Sequence, residues 1–146
     1  MTWYVEGINK RMTFAQQFSV AQGSWQAPDN SIVEGNQYFV VVTYDSSSDL
    51  NDPVMYVNGQ SVAVSEGLIP SGSANSNTDP YVLGNRGNQD RTFDGWMDEV
   101  RVSSVARTAD WIATEYNNQY SPSAFYNIGP EQTATISPAG KTIGIN

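Results

Sequence analysis

The sequence predicts an all-β protein, an antiparallel two-sheet sandwich with one short helix near its C-terminal end. Short apolar or alternating segments recur between turn clusters along most of the 146 residues. The chain has 12 Gly and 7 Pro to form those turns, and only one stretch has helical periodicity. Many short strands with a single late helix are typical of sandwich folds.

Ten segments have the composition or alternation of strands. They are residues 3–5, 11–15, 18–21, 38–44, 53–57, 60–64, 81–84, 92–102, 124–128 and 133–145. Within the fourth, the continuous apolar run 39–42 predicts a strand buried on both faces. Asn58 and Gly59 between two β-rich segments predict a type I′ hairpin, because both turn residues of that type need a positive φ. Residues 65–80 are predicted to be a long connecting loop.

The one predicted helix covers about residues 108–119. Thr108 is suited to cap its N-terminus, and Asp110 in the first turn complements the helix dipole. Trp111 and Tyr116 share a face with Ile112, so we expect the aromatic pair to anchor the helix on a sheet.

Composition excludes several classes of function. The chain has no Cys and no His, which excludes disulfide scaffolds, zinc ribbons, thiol nucleophiles and serine–histidine hydrolases. A net charge of −8 disfavours nucleic-acid partners and anionic membrane surfaces. No apolar run approaches about 18 residues, so we expect no membrane insertion. No signal peptide is visible at the start, so in an exported protein the signal was removed or lies elsewhere in a longer polypeptide.

Four motifs follow one another at sensible spacing. They are Val40-Val41-Val42-Thr43-Tyr44-Asp45, Met55-Tyr56-Val57-Asn58-Gly59, Leu83-Gly84-Asn85 and the segment 93–102, which reads FDGWMDEVRV. Together they resemble the laminin-G-like domains of the concanavalin-A-like lectin and glucanase superfamily, of the microbial or phage-encoded type. The resemblance covers roughly residues 11–129 and implies a jelly-roll sandwich.

The chain departs from the family pattern in two places. Gln37 stands where the family often has Trp, and the family's first strands, before the equivalent of Trp3, are lacking. Either the sequence is a piece of a longer polypeptide, or another segment fills the gap. We hypothesise that residues 133–146, or a neighbouring domain or chain, pair with the exposed sheet edge, because bare edges are association sites.

An acidic cluster in the segment 93–102 is the first candidate for chemistry. Glycosidases of the superfamily use paired carboxylates on alternate strand positions, about 5–5.5 Å apart for retention. Asp98 and Glu99 are adjacent, so on a strand they point to opposite faces. We expect Glu99 to pair with Arg101 and Asp98 to accept a backbone hydrogen bond, which makes the cluster structural rather than catalytic.

Calcium is the second candidate, since many relatives of this fold bind it at the sheet rim. Asp45, Asp49 and Asp52 lie in an oxygen-rich loop and are the predicted ligands. Solvated turns are the alternative, because Asp and Asn are also common turn formers.

Glycan binding is the third candidate, because sugars stack on aromatic rings and bond to Asn, Asp and Gln side chains. Trp25 and Tyr81, next to turns that contain Gly or Pro, are predicted to be exposed ligand-binding residues, with Asn85 as a polar partner. Trp96 and Trp111 are assigned to packing.

The predicted function is therefore a non-catalytic module that recognises a glycan or protein at a surface, inside a larger assembly. The localisation that fits is extracellular, cell-surface or virion. One alternative is a structural virion protein, a phage decoration or tail-fibre domain held by strand pairing. A weaker alternative is a glycoside hydrolase relative. We predict a sandwich domain over residues 1–129 and a C-terminal extension, an extra strand or a linker, over 130–146.

Overall fold

A computed structural model describes residues 1–76, 82–85, 88–125 and 128–131. Within them, seven strands form two antiparallel sheets, followed by two helices. The strands are β1 (Thr2–Glu6), β2 (Arg11–Gln16), β3 (Gly23–Gln26), β4 (Val40–Thr43), β5 (Val54–Val57), β6 (Gln60–Val62) and β7 (Ser65–Leu68). The helices are α1 (Ala109–Tyr120) and α2 (Pro122–Phe125). The prediction of an all-β, two-sheet jelly-roll sandwich with one short helix is confirmed, and α1 is the predicted helix. The four-residue helix α2 was not predicted.

The core lies between a four-stranded sheet, ordered β1-β2-β3-β7, and a three-stranded sheet, ordered β4-β5-β6. The first sheet contributes Met12 and Phe14 from β2 and Trp25 from β3, and the second contributes Met55 from β5. Val40 and Val42, alternate residues of β4, pack against this cluster. Because alternate strand positions share a face, the two sheets meet through the side chains that the period-2 pattern directs inward.

Two local predictions are confirmed in detail. Asn58 and Gly59 have φ of 51° and 77°, as a type I′ turn requires, and they join β5 to β6. The Thr108 side chain accepts a hydrogen bond from the Trp111 amide and caps α1. Ile112 of α1 is fully buried.

Other predicted strands are absent from the described residues. Residues 18–21 make only the isolated bridges Phe18–Ala74 and Ala21–Ser71. Residues 82–84 form no strand, and α2 covers residues that were predicted to begin one at 124. Two real strands, β3 and β7, were missed, because Gly, Ser, Glu and Gln dominate them and their pairing is set by neighbours rather than by β-propensity.

The segment 92–102 was also wrongly predicted as a strand. Glu99 has a φ of 50°, which a continuous strand does not admit, and no residue of the segment is assigned to a sheet. The prediction that β4 is buried on both faces is wrong as well, because it is the edge strand of its sheet and its residues are half-buried. The predicted strand 133–145, and with it most of the predicted C-terminal extension, lies outside the described residues.

Candidate functional site

An open cleft of about 3380 Å³ lies on the described part of the chain. Its walls are β1, β4, the segment 91–107 and one side of α1. Small-molecule sites usually measure about 300–1,000 Å³. The cleft is open to solvent and larger than such sites.

Three tryptophans line this cleft, namely Trp3 from β1, Trp96 from the segment 91–107 and Trp111 from α1. Their exposed fractions are 42%, 100% and 39%. The Arg107 guanidinium lies 5.1 Å from the centre of the Trp111 ring, a cation–π contact that leaves part of the ring accessible. The assignment of Trp96 to packing is wrong, and that of Trp111 holds only in part, because the ring is not buried with Ile112.

The predicted glycan-stacking residue Trp25 is not available to a ligand. It is fully buried and packs against Phe14 and Tyr44, with ring centroids 5.8 Å and 5.3 Å away. A Cβ built on Gly23 would approach the indole to 2.3 Å, so this glycine makes room for the ring. The turn that contains this glycine was interpreted as a sign of exposure, but Gly23 permits the close packing of a core tryptophan.

The other two predicted ligand residues have different outcomes. Asn85 lines the cleft, accepts a hydrogen bond from the Arg91 amide at 2.9 Å and donates to the Thr92 hydroxyl at 3.3 Å. Tyr81 lies outside the described residues.

The acidic residues of the segment 93–102 form local bonds rather than a pair of catalytic carboxylates. The Asp98 carboxylate accepts from the Glu99 amide at 2.8 Å, as predicted. Arg101 pairs with Glu99, also as predicted, and with Glu115 of α1. These two bonds raise the pKa of Arg101 above its usual value. Arg101 thus ties the segment to the helix.

The three predicted calcium ligands each bond to a different part of the protein. Asp45 accepts from the Ser47 amide at 3.0 Å, which lowers its pKa; Asp49 accepts from the Gly72 amide at 2.8 Å. Asp52 accepts from the Trp25 indole at 2.7 Å. Among the residues that the structure describes, no three acidic side chains converge into a group that could hold a metal. The present geometry therefore does not fit calcium at these positions, and binding in solution remains a prediction from the sequence.

Calorimetric titration with calcium chloride tests it: a saturable heat that Asp49→Asn removes would support the site, and the absence of heat would eliminate it.

The exposed aromatic faces suit stacking on a sugar ring or packing against apolar side chains. Sequence reasoning missed Trp3 and misassigned Trp96. The available signal was that residues 3–5 are apolar at every position, so that one face of β1 has to remain outside the core.

No helix in the described ranges is long and apolar enough to cross a membrane.

Comparison with known protein families is consistent with this fold. A laminin G family model, described as concanavalin A-like lectin/glucanases superfamily, matches residues 3–113. Comparisons with curated proteins and with solved structures find no match. Since the model covers most of the chain, this protein belongs to the concanavalin A-like lectin/glucanases superfamily.

Proposed function

We propose that this chain is a non-catalytic binding module that recognises a glycan or a protein through the cleft between β1, β4 and α1. The observation that carries the proposal is that three exposed tryptophans, Trp3, Trp96 and Trp111, line one open cleft. Exposed tryptophan is costly in water, and clusters of it mark binding surfaces. The superfamily, which includes lectins, supports the same role.

A non-catalytic role is supported by the chemistry of the chain. No His or Cys is present to serve as base or nucleophile. Glu99 is held in an ion pair with Arg101, and Asp98 bonds to the backbone of its own neighbour. A glycosidase needs two carboxylates that face one scissile bond, and the adjacent pair does not supply them. These observations disfavour the glycoside hydrolase alternative.

The proposed location is extracellular, on a cell surface or on a virion, where the module forms part of a larger assembly. The net charge of −8 favours neutral or basic ligands over nucleic acids. The structural alternative, a virion protein held by strand pairing, is favoured by the outer edge of β4, which pairs with no second strand among the described residues. The two roles are separable, because a structural subunit forms ordered oligomers in sedimentation and gives no soluble-ligand hit.

The experiment that tests the proposal is a combined glycan and peptide array probed with the wild-type chain and with Trp96→Ala. A tryptophan at the centre of an interface commonly contributes about 2 kcal/mol or more, so we expect binding to weaken at least about thirtyfold. The matched control is Leu50→Ala, because Leu50 is also a large apolar residue that is mostly exposed, at 89%, but it does not line the cleft. Equal affinity of both variants, or no hit on either half of the array, would refute the proposal.

A further inference from the structure

The segment that precedes α1 carries a set of large apolar side chains that the fold leaves uncovered. Six of them are more than two-fifths exposed, namely Phe93, Trp96, Met97, Val100, Val102 and Val105. All six line the open cleft. Apolar surface is unfavourable in water, and a set of this kind usually marks a surface that packs against something.

Another wall of the same cleft is apolar as well. Trp3 and Val5 are alternate residues of β1, and Trp3 lies directly across from Phe14 of the core. Directly opposed residues and alternate residues of a strand share a face, so Trp3 and Val5 lie on the core-facing side of their sheet. They are nevertheless 42% and 37% exposed. The interior of the sandwich is therefore open to solvent beside β1, in the space that the uncovered segment also lines.

A backbone outlier lies within this segment. Glu99 has a φ of 50°, in the left-handed region that residues other than glycine adopt at a cost. Two local contacts offset this cost, namely the bond from the Glu99 amide to Asp98 and the ion pair of Glu99 with Arg101. Strained residues of this kind occur in switch regions, where two arrangements of the chain have similar free energies.

The residues that follow the outlier suit a second, extended arrangement. With a negative φ at Glu99, residues 99–102 alternate, so that Val100 and Val102 lie on one face and Glu99 and Arg101 on the other. The apolar face can then enter the cleft while the Glu99–Arg101 pair stays in solvent. Closure of this kind buries apolar surface without burying the charges of the pair.

The segment is fixed at its ends and held only locally between them. The Phe93 amide donates to the Gly84 carbonyl at 2.7 Å, and Arg101 pairs with Glu115 of α1. Among the described residues, no hydrogen bond joins 94–100 to a strand or a helix. A chain that is tied at both ends and free in the middle can change the conformation of its middle without leaving the cleft.

We propose that residues 94–102 form a strap that closes over the cleft when Glu99 changes from a positive to a negative φ, and that closure regulates access to the binding surface. The present structure is the open arrangement. In the closed one, Val100 and Val102 fill part of the space beside Trp3 that a ligand needs. The regulatory role rests on the proposed function, whereas closure itself does not.

Two substitutions at one position bias this equilibrium in opposite directions. Glu99→Gly tolerates a positive φ and favours the open arrangement, whereas Glu99→Thr introduces a β-branched residue that disfavours it. Both remove the carboxylate that pairs with Arg101, so the loss of that ion pair is common to the two variants. The control pair is Gln89→Gly and Gln89→Thr, because Gln89 also has a positive φ, of 59°, but does not line the cleft.

The probe is anilinonaphthalene sulfonate, a dye that binds exposed apolar surface. A left-handed conformation costs a residue other than glycine enough to shift a two-state equilibrium roughly tenfold, so the dye should bind up to about tenfold more tightly to Glu99→Gly than to Glu99→Thr. The control pair should bind it equally. Amide hydrogen exchange of residues 100–102 should be slower in Glu99→Thr than in Glu99→Gly, because the closed strap is covered. The best compound from the glycan and peptide array should follow the dye.

The possible outcomes separate closure from regulation. Dye affinities within about twofold of each other at position 99, or a difference no larger than that of the control pair, would overturn closure. Exchange that is not slower in Glu99→Thr would also overturn it. If the dye and the exchange respond but the best array compound binds both Glu99 variants equally, closure stands and the regulatory role is wrong. An array without hits would remove the proposed function and the regulation, whereas the dye comparison would still decide closure.

Discussion

The hydrogen bond from the Trp25 indole to Asp52 separates a structural role of Asp52 from a metal-binding one. The indole nitrogen lies 2.7 Å from the carboxylate, and the Trp25 side chain is fully buried. Asp52→Ala removes the acceptor and leaves a buried donor, which costs about 1–3 kcal/mol. Because Asp52 itself is exposed, water can partly replace it, and we expect the lower half of that range, about 1–1.5 kcal/mol. Asp52→Asn keeps an oxygen acceptor and should retain most of this free energy.

A double-mutant cycle measures this bond directly. Urea denaturation followed by far-UV circular dichroism gives the free energy of unfolding of the wild-type chain, Asp52→Ala, Trp25→Phe and the double variant. Since Trp25→Phe removes the donor, the loss caused by Asp52→Ala should largely disappear in its background, with a coupling of about 1 kcal/mol. A coupling below about 0.3 kcal/mol, within the range of independent sites, would refute the reasoning. Equal destabilisation by Asp52→Asn and Asp52→Ala would indicate instead that the charge matters.

Three further substitutions test other parts of the structure. Tyr44→Phe removes a buried hydroxyl that has no hydrogen-bond partner among the described residues, so urea denaturation near neutral pH should show a gain of about 1 kcal/mol. Burial raises the pKa of Tyr44 above its usual 10.0. The free energy of unfolding that this shift contributes is therefore present below pH 10.0 and is lost as the pH rises through the folded pKa. If stability declined equally at alkaline pH in the wild-type chain and in Tyr44→Phe, this assignment would be wrong. Gly59→Ala places a Cβ 2.9 Å from the Tyr116 ring of α1, at a φ of 77°, and should lower the free energy of thermal unfolding by about 1–2 kcal/mol. The control is Gly7→Ala, whose Cβ meets nothing within 4 Å and which should be nearly neutral. Similar losses in both variants would argue against the contact. The hydrogen bond from Arg11 lowers the pKa of Glu6, so the stability that this bond contributes is present above about pH 4.5 and is lost as the pH falls through the folded pKa. An acid titration of the stability of Glu6→Gln should lack that loss.

The predictions that the structure confirms depend on interactions between residues close in sequence. The turn at Asn58 and Gly59 needs two residues with positive φ, and those residue types supply it without reference to the rest of the chain. The start of α1 depends on Thr108, which bonds to an amide three residues away. Such local chemistry is visible in the sequence, so the hairpin and the helix were both predicted correctly.

The errors concern properties that depend on distant partners. Trp25 and Trp96 are the same residue type within two residues of a glycine, yet one is fully buried and the other fully exposed. Their difference is set by which strand lies opposite, and no local pattern contains that information. Trp25 is buried because its ring lies in the core between the two sheets, against Phe14 and Tyr44. Trp96 is exposed, and its segment pairs with no strand in the described chain.

Two departures from ordinary solubility rules occur at the same place. Exposed tryptophan, and a valine edge that pairs with no second strand among the described residues, each favour association, and each is usually removed from the surface of a protein that works alone. Departures of this kind are expected at functional sites, where stability is balanced against binding. The combined glycan and peptide array with Trp96→Ala therefore tests whether this part of the surface is the binding site.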